Sequence, residues 1–536
     1  MREPKMLAFN AEARNKLLSG INKVADAVAS TLGPKGRNVA INEAFNVKVT
    51  HDGVSVAGSI NLEDYFEDMG AELIKAAAQK TSDTAGDGTT VTTVLTQAII
   101  NEALQLIQAG ANPMTLKKEI EDSLAKVLEE LKKLAKEVTT DEEIEHIATI
   151  SAADPEKGKL VAEAIKKVGS DGVITVEAGK GSETTVEYKQ GLEFDRGYAT
   201  TSPYFVTDQE RAEAIVENPY ILITDKRLNY SKDVLPIMQK LAETGSRDLV
   251  IIAGECVEEA LATLVVNKLQ GNIKVLAVQA PGYGDRRIDE LEDIAILTGG
   301  TAILEDSGRE IESIQVAELG RASKVITDRD KTVIIGGVGT GVKKRMDTIR
   351  QQIKVANTDW DKQIKEQRLA KLAGGVAVIN VGAATEVELQ EKKKRFVNAV
   401  NSTKSAIAEG IVAGGEITLL KLASIMQNNV DFEASRAGGG NPSLGRNILT
   451  QALKAPFKRL VSNAGLDYAE VRENLSGKQY PLGIDVEDGH VKDLLEAGII
   501  DPVKVTRSAL ENSVSIACMV MTTNTLISEL PNKEEK

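Results

Sequence analysis

Residues 82–95 read SDTAGDGTTVTTVL, a run of glycines, carboxylates and hydroxyls where a helix should begin. A helix start leaves unpaired N–H groups and the positive end of its dipole facing whatever precedes it, which suits an anion. Gly86 and Gly88 let the backbone approach a ligand closely, and Thr89 and Thr90 can donate to phosphate oxygens. Asp87 would repel a bare phosphate, so it makes sense mainly as the ligand of a bridging Mg²⁺. An Asp/Thr N-cap on a buried helix is the competing reading of the same residues.

Two further turns lie in the same N-terminal segment. TLGPKGRN closes the first helical pattern with Thr31, Leu32, Gly33 and Pro34, taken alone a helix C-terminus of the commonest kind. HDGVSVAGSI places His51, Asp52 and Gly53 in a tight turn. Three such turns make a composite nucleotide pocket more credible than any one of them. By contrast VIIGGVGTGVKK, residues 333–344, only imitates a phosphate loop, because Val342 follows Gly341 where Lys and then Ser or Thr are needed. It reads as an ordinary turn.

The elements that must position these turns follow from periodicity. Leu17, Leu18, Ile21, Val24, Ala25 and Val28 share one helical face, and Leu116, Ile120, Leu124, Val127, Leu131 and Leu134 share another. From about residue 171 short strand patterns appear, and then four apolar β-type runs, YILITD, LVIIAG, KVLAVQAP and TAILED, alternate with helices. That predicts an α/β domain with a largely parallel sheet. The chain is helical again to about residue 475. The near-palindromic order predicts a domain inserted within a domain, with Gly191, Gly374, Gly375 and Gly410 as hinges.

Composition sets the outer limits. A chain of 536 residues exceeds one core, and its 42% hydrophobic and 27% charged residues are ordinary for a globular protein. A net charge of −14 and only 3% aromatic residues argue against nucleic acid as partner. No apolar run approaches membrane-spanning length, and the opening MREPKMLAFNAEARNK has no apolar signal core. Two distant cysteines and three histidines form neither a disulfide framework nor a zinc motif, so a reducing, cytoplasmic location is expected.

TLGPKGRN, DGVSVA, AGDGTT, FDRGY, SPYF, LATLVVN, PGYGDRR, LTGGT, KLAGGVAVI, VGAATEVE and DPVKVTRSAL occur in that order. With them the chain closely resembles the group I (bacterial-type) chaperonin subunit from about residue 7 to 530. The resemblance implies a multidomain α and α/β fold with nested helical equatorial (1–135, 410–536), mixed intermediate (136–190, 376–409) and α/β apical (191–375) domains. It implies an ATPase using Mg²⁺, with K⁺ as a second candidate cation, that folds non-native polypeptides. Its implied partners are six further copies in a seven-membered ring, usually stacked in pairs, and a small co-chaperonin lid.

By the same resemblance, nucleotide contacts fall to Thr31, Leu32, Gly33, Pro34, His51, Asp87, Gly88, Thr89, Thr90, Val91, Gly414, Gly415, Asp485, Ile499 and Asp501, with Asp87 on the metal. Tyr198, Tyr204, Phe205, Leu235, Met238, Leu261, Val265 and Val266 match the apical segments that receive substrate and lid. On residue pattern alone these eight read more readily as core of the α/β domain.

The chain departs from the family around the phosphates. Asn398 stands at the position of the family's catalytic Asp, and an amide cannot accept the proton of an attacking water. Asp52 remains and could take over part of that role. His51 replaces a Lys, Val91 replaces a hydroxyl residue, GYATTSPYF carries one extra residue, and the tail ELPNKEEK lacks Gly-Met repeats. Because three departures cluster in one pocket, Asn398 reads as natural divergence rather than an engineered change. The expected function is an ATP-dependent folding chaperonin with slowed hydrolysis; the alternative is an ATP-binding holdase with little or none.

Overall fold

A computed structural model of the chain describes residues 5–43, 46–152, 154–169, 172–179, 181–199, 203–209, 211–355, 358–428 and 443–530. The extra residue of GYATTSPYF and most of the tail ELPNKEEK lie outside the described residues. The chain divides into two compact units, one made of Met1–Ala162 with Arg395–Lys536 and the other of Glu163–Lys394. The second unit is thus inserted into the first.

The first unit is mainly helical. Helix α1 (Asn10–Ala29) buries Leu17, Ile21, Val24, Ala25 and Val28, the face its spacing predicts. Helix α2 (Gly53–Gly58) is short and is capped by Asp52, whose carboxylate accepts from the Ser55 N–H and hydroxyl. Helix α3 (Tyr65–Ala85) ends at Gly86, and helix α4 (Thr89–Gln108) begins straight after Gly88. Helix α5 (Pro113–Leu134) starts with an Asn112 cap and a proline in its first turn, and buries Leu116, Ile120, Val127 and Leu131. Leu124 and Leu134 are only partly buried. The helix Val503–Thr522 packs on this group and contributes Val514, Val520 and Met521 to one continuous core.

Strands in this unit are short and join distant segments. Lys5–Phe9 pairs antiparallel with Thr525–Glu529, bringing the two ends of the described chain together. Ile411–Ala413 pairs antiparallel with Ile500–Pro502, so Val412 faces Asp501 across the ladder. Asp501, expected at the nucleotide, lies within the second of these strands, and Gly414 and Gly415 directly follow the first.

The inserted unit carries the parallel sheet. Lys274–Gln279, Asp248–Ala253, Tyr220–Thr224 and Ala302–Ile303 lie side by side in that order, all parallel, and all four come from the runs singled out in the sequence. Their residues are apolar at nearly every position because helices cover the sheet's faces. A four-stranded antiparallel sheet (Gly191–Phe194, Thr332–Ile335, Lys324–Thr327, Ala214–Glu217) packs into the same core. The imitation phosphate loop is the connection from Thr332–Ile335 to the helix Val342–Lys354. Gly337 and Gly339 lie against the Leu297 and Ile296 carbonyls, so its glycines permit close packing. Among the described residues, no helix is long and apolar enough to cross a membrane.

Candidate functional site

Four segments of the first unit converge around the turn between α3 and α4. Gly86 and Gly88 both take left-handed backbone (φ 77° and 86°), which lets the chain leave α3 and re-enter a helix within three residues. No side chain caps α4, and its first free N–H groups open onto the turn. The Thr90 hydroxyl lies 3.5 Å from that of Thr31. A methyl on Gly53 would stand 2.6 Å from the Thr90 hydroxyl and 3.2 Å from that of Thr89, so the Asp52–Gly53 turn abuts the same place. The helix Glu386–Glu409 supplies the third side: Asn401 touches Gly86, and the Ser405 hydroxyl donates to the Ala85 carbonyl at 3.0 Å. Asn398 lies two helical turns before Ser405 on the same face and is exposed.

The threonines divide into two sets. Thr92, Thr93 and Thr96 are fully buried and each donates to the carbonyl four residues earlier. Thr92 also meets the Thr81 hydroxyl, which Asn512 contacts in turn. These hydroxyls serve the bundle. Only Thr89 and Thr90 present theirs to the turns, and Val91 packs against two apolar clusters.

The fourth side is the loop Ala413–Thr418 set against Ile499–Asp501. The Gly414 N–H donates to the Ile499 carbonyl at 2.9 Å, and a methyl on Gly414 would be 3.2 Å from the Asp501 carboxylate. Ile499 borders Gly415. Asp485 does not join them by its side chain: its carboxylate is held by Lys492 at 2.8 Å and by the Glu487 N–H within its own hairpin. That pairing raises the Lys492 pKa to about 12. Leu32 is buried beside Leu460, Pro34 and His51 are exposed, and His51 stands against Gly36.

Electrostatically the place is acidic. Asp87 is reached by solvent yet surrounded by protein mass, as expected for a group lining a cleft. The resulting desolvation raises its pKa, the Gly88 N–H at 2.6 Å opposes this, and Asp52 adds to it. Burial, together with the Asp87 charge, pushes Asp501 up to about 7. Glu416 is pushed well above the usual carboxylate range, first by burial and then by Asp501 and Asp87. Among the described residues no trio of His, Cys, Asp or Glu is spaced to hold a metal by itself. One solvent-reached carboxylate, Asp87, beside free N–H groups and hydroxyls does fit a Mg²⁺ shared with phosphate oxygens, the usual way this ion is held.

Glu416 was not singled out in the sequence. Its signal is a carboxylate placed straight after two glycines and before the apolar helix Ile417–Asn428. Asn401 and Ser405 were missed as well, although they continue the face of Asn398.

In the inserted unit the eight expected surface residues separate by burial. Tyr204 and Val266 are exposed, while Leu235, Leu261 and Val265 are half-buried. Tyr198, Met238 and Phe205 are core residues, Phe205 with no exposed surface at all. The helices Ser231–Glu243 and Glu258–Leu269 lie together, tied by Ser231 to Glu259 (2.6 Å) and Thr263 (3.0 Å). Leu269, exposed and not expected, extends the Val266 side of the second helix.

The sequence matches the TCP-1/cpn60 chaperonin family over residues 24–531, and the chain belongs to that family. Two crystal forms of the chaperonin gp146 from the bacteriophage EL 2 (Pseudomonas aeruginosa), determined in the presence of ATP-BeFx, share the fold. They give TM-scores of 0.72 and 0.64 at 22% identity, covering 97% and 98% of this chain and 99% of theirs.

Proposed function

We propose that this chaperonin subunit is of the bacterial type and binds Mg²⁺-ATP at the α3–α4 turn. The observation that carries the reading is the convergence of Thr31, Asp52–Gly53, Asp87–Thr90 and Gly414–Gly415 with Asp501 in one acidic, solvent-reached place. Phosphates would meet the free N–H groups and hydroxyls of Thr89 and Thr90, and the nucleoside would lie towards Ile499 and Asp501. Asp87 would hold Mg²⁺, which when bound offsets the charge of carboxylate and phosphates together. The gp146 chaperonin, crystallised with ATP-BeFx, supports a nucleotide in this fold.

The chain would act as three domains, equatorial (1–135, 410–536), intermediate (136–190, 376–409) and apical (191–375), in a seven-membered ring closed by a small lid. Nucleotide would bias hinges at Gly410 and at Gly191, Gly374 and Gly375. Of these, Gly410 and Gly375 take positive φ (87° and 63°), which favours glycine. For ATP to drive that change it must bind the two conformations with different affinity. Non-native chains would bind the exposed apolar side of the apical helices, where burial is non-directional and so indifferent to sequence.

A holding role with little hydrolysis is the second reading, favoured by Asn398. Calorimetry of ATP binding with and without Mg²⁺, on the parent and on Asp87→Ala, tests the site. Mg²⁺-dependent binding lost in the variant is expected; equal binding by both would refute the assignment.

A further inference from the structure

Glu416 is the residue of this region whose presence the fold does not explain. It takes left-handed backbone (φ 60°) directly after Gly415, also at φ 60°. A non-glycine residue there is strained, and such strain persists at functional sites when the side chain is needed. It is only 9% exposed. Among the described residues its carboxylate makes no hydrogen bond, and it does not turn back to cap the helix Ile417–Asn428 that follows.

The loop holding it is fixed at both ends. The Ala413 N–H donates to the Tyr480 hydroxyl at 2.9 Å, and the Thr418 hydroxyl donates to the Ala413 carbonyl at 2.6 Å. The Glu416 carboxylate therefore stays on the side of Asp501 and Asp87, the two charged groups that act on it. Two acceptors, one nine-tenths buried and unpartnered, so lie where donors are missing. A phosphate would be repelled there. A metal ion is not the natural filler either, since no trio of carboxylates in the described residues is spaced for one. The part of a nucleotide that offers two adjacent uncharged donors is the ribose.

We propose that Glu416 is a specificity-determining residue: its carboxylate, with that of Asp501, accepts hydrogen bonds from the ribose hydroxyls, so that the site selects ribonucleotides over 2′-deoxyribonucleotides. The inference rests on the nucleotide site proposed above and adds a residue and a selectivity to it. Leaving one partner of a buried hydrogen bond unpaired costs about 1–3 kcal/mol, a factor of about five to a hundred and fifty in affinity.

The test is calorimetric binding of ATP and 2′-deoxy-ATP, each with Mg²⁺, to the full-length parent and to E416G and E416Q. Glycine suits φ 60°, so E416G should melt at or above the parent's temperature. The parent should prefer ATP about tenfold or more, and E416G should lose most of that preference through weaker ATP binding. E416Q, which keeps one acceptor oxygen and replaces the other by an NH₂ donor, should fall between. Retained preference in E416G, or an equal loss for both nucleotides, overturns the inference while leaving the nucleotide site standing. A parent that binds neither nucleotide removes the site and the inference together.

Discussion

Replacing Gly88 by Ala tests whether the turn geometry controls both the fold and the ligand. At φ 86° an alanine costs about 1–2 kcal/mol of backbone strain. Its methyl would also stand 2.7 Å from a Val505 methyl, and overpacking of that kind costs about 1–3 kcal/mol more. Gly489 supplies the control, because its φ of 77° is similar but a methyl there meets nothing within 4 Å. Gly489→Ala should therefore show the backbone cost alone. At about 2 °C per kcal/mol for a large domain, Gly88→Ala should lower the melting temperature by about 4–10 °C and Gly489→Ala by about 2–4 °C. Adding Val505→Ala to Gly88→Ala should recover the contact part, a coupling of about 1–3 kcal/mol in a double-mutant cycle. Repeating the melts with Mg²⁺-ATP separates stability from binding, since a ligand that binds the folded state raises the melting temperature. Gly88→Ala should lose that rise and Gly489→Ala should keep it. Equal destabilisation by the two alanines, or an undiminished ATP effect in Gly88→Ala, would refute the reasoning.

Three other outcomes follow from the same structure. Asp293, almost fully buried, bonds Arg368 through both oxygens (2.8 and 3.1 Å) and Arg345 at 2.6 Å. Asp293→Ala leaves Arg368 with Asp289 and Arg345 with Glu292 (3.1 Å), so it removes buried charge-assisted hydrogen bonds without stranding either cation. It should cost the inserted unit about 1.5–3 kcal/mol in denaturant titrations; a loss below about 0.5 kcal/mol would contradict this. Asp501 has a folded pKa of about 7 against an ordinary 3.8, so its proton is held more tightly in the folded state. The stability this gives is complete below pH 4 and is lost as pH rises through 7. The nucleotide-free chain should then melt higher at pH 6 than at pH 8, and Asp501→Asn should flatten that slope; an unchanged slope would be fatal to it. Val266→Ser, at a half-exposed position, should weaken capture of an unfolded substrate with the melting temperature nearly unchanged, whereas Phe205→Ala in the core should cost about 3–5 kcal/mol. Equal effects of the two on stability would place Val266 in the core.

Much of this was legible in the chain because long-period signals are strong. The four parallel strands follow from their unbroken apolar runs, since a sheet covered on both faces buries both sides, and the buried face of α1 follows from its 3.6-residue period. The three N-terminal turns were legible as polar interruptions at helix ends, although only coordinates bring the Thr31 and Thr90 hydroxyls to 3.5 Å. That Tyr198, Phe205 and Met238 are core while Tyr204 and Val266 are exposed was not legible, because an apolar side chain beside a groove and one beneath it look alike in sequence. Asp485 was expected at the ligand, but a lysine seven residues later claims its carboxylate, and hairpin register rather than composition decides that. Glu416 escaped notice because sequence spacing does not reveal a left-handed φ.

We propose that ATP bound at the α3–α4 turn is hydrolysed slowly because position 398 is an amide. Single-turnover phosphate release with Mg²⁺ and K⁺, comparing the parent, Asn398→Asp and Asp87→Ala, tests it most directly. The account predicts a slow parent, an Asn398→Asp variant faster by about 10²–10⁴, the usual worth of a general base, and no release from Asp87→Ala. Equal rates in the parent and Asn398→Asp, or undiminished release from Asp87→Ala, would contradict it.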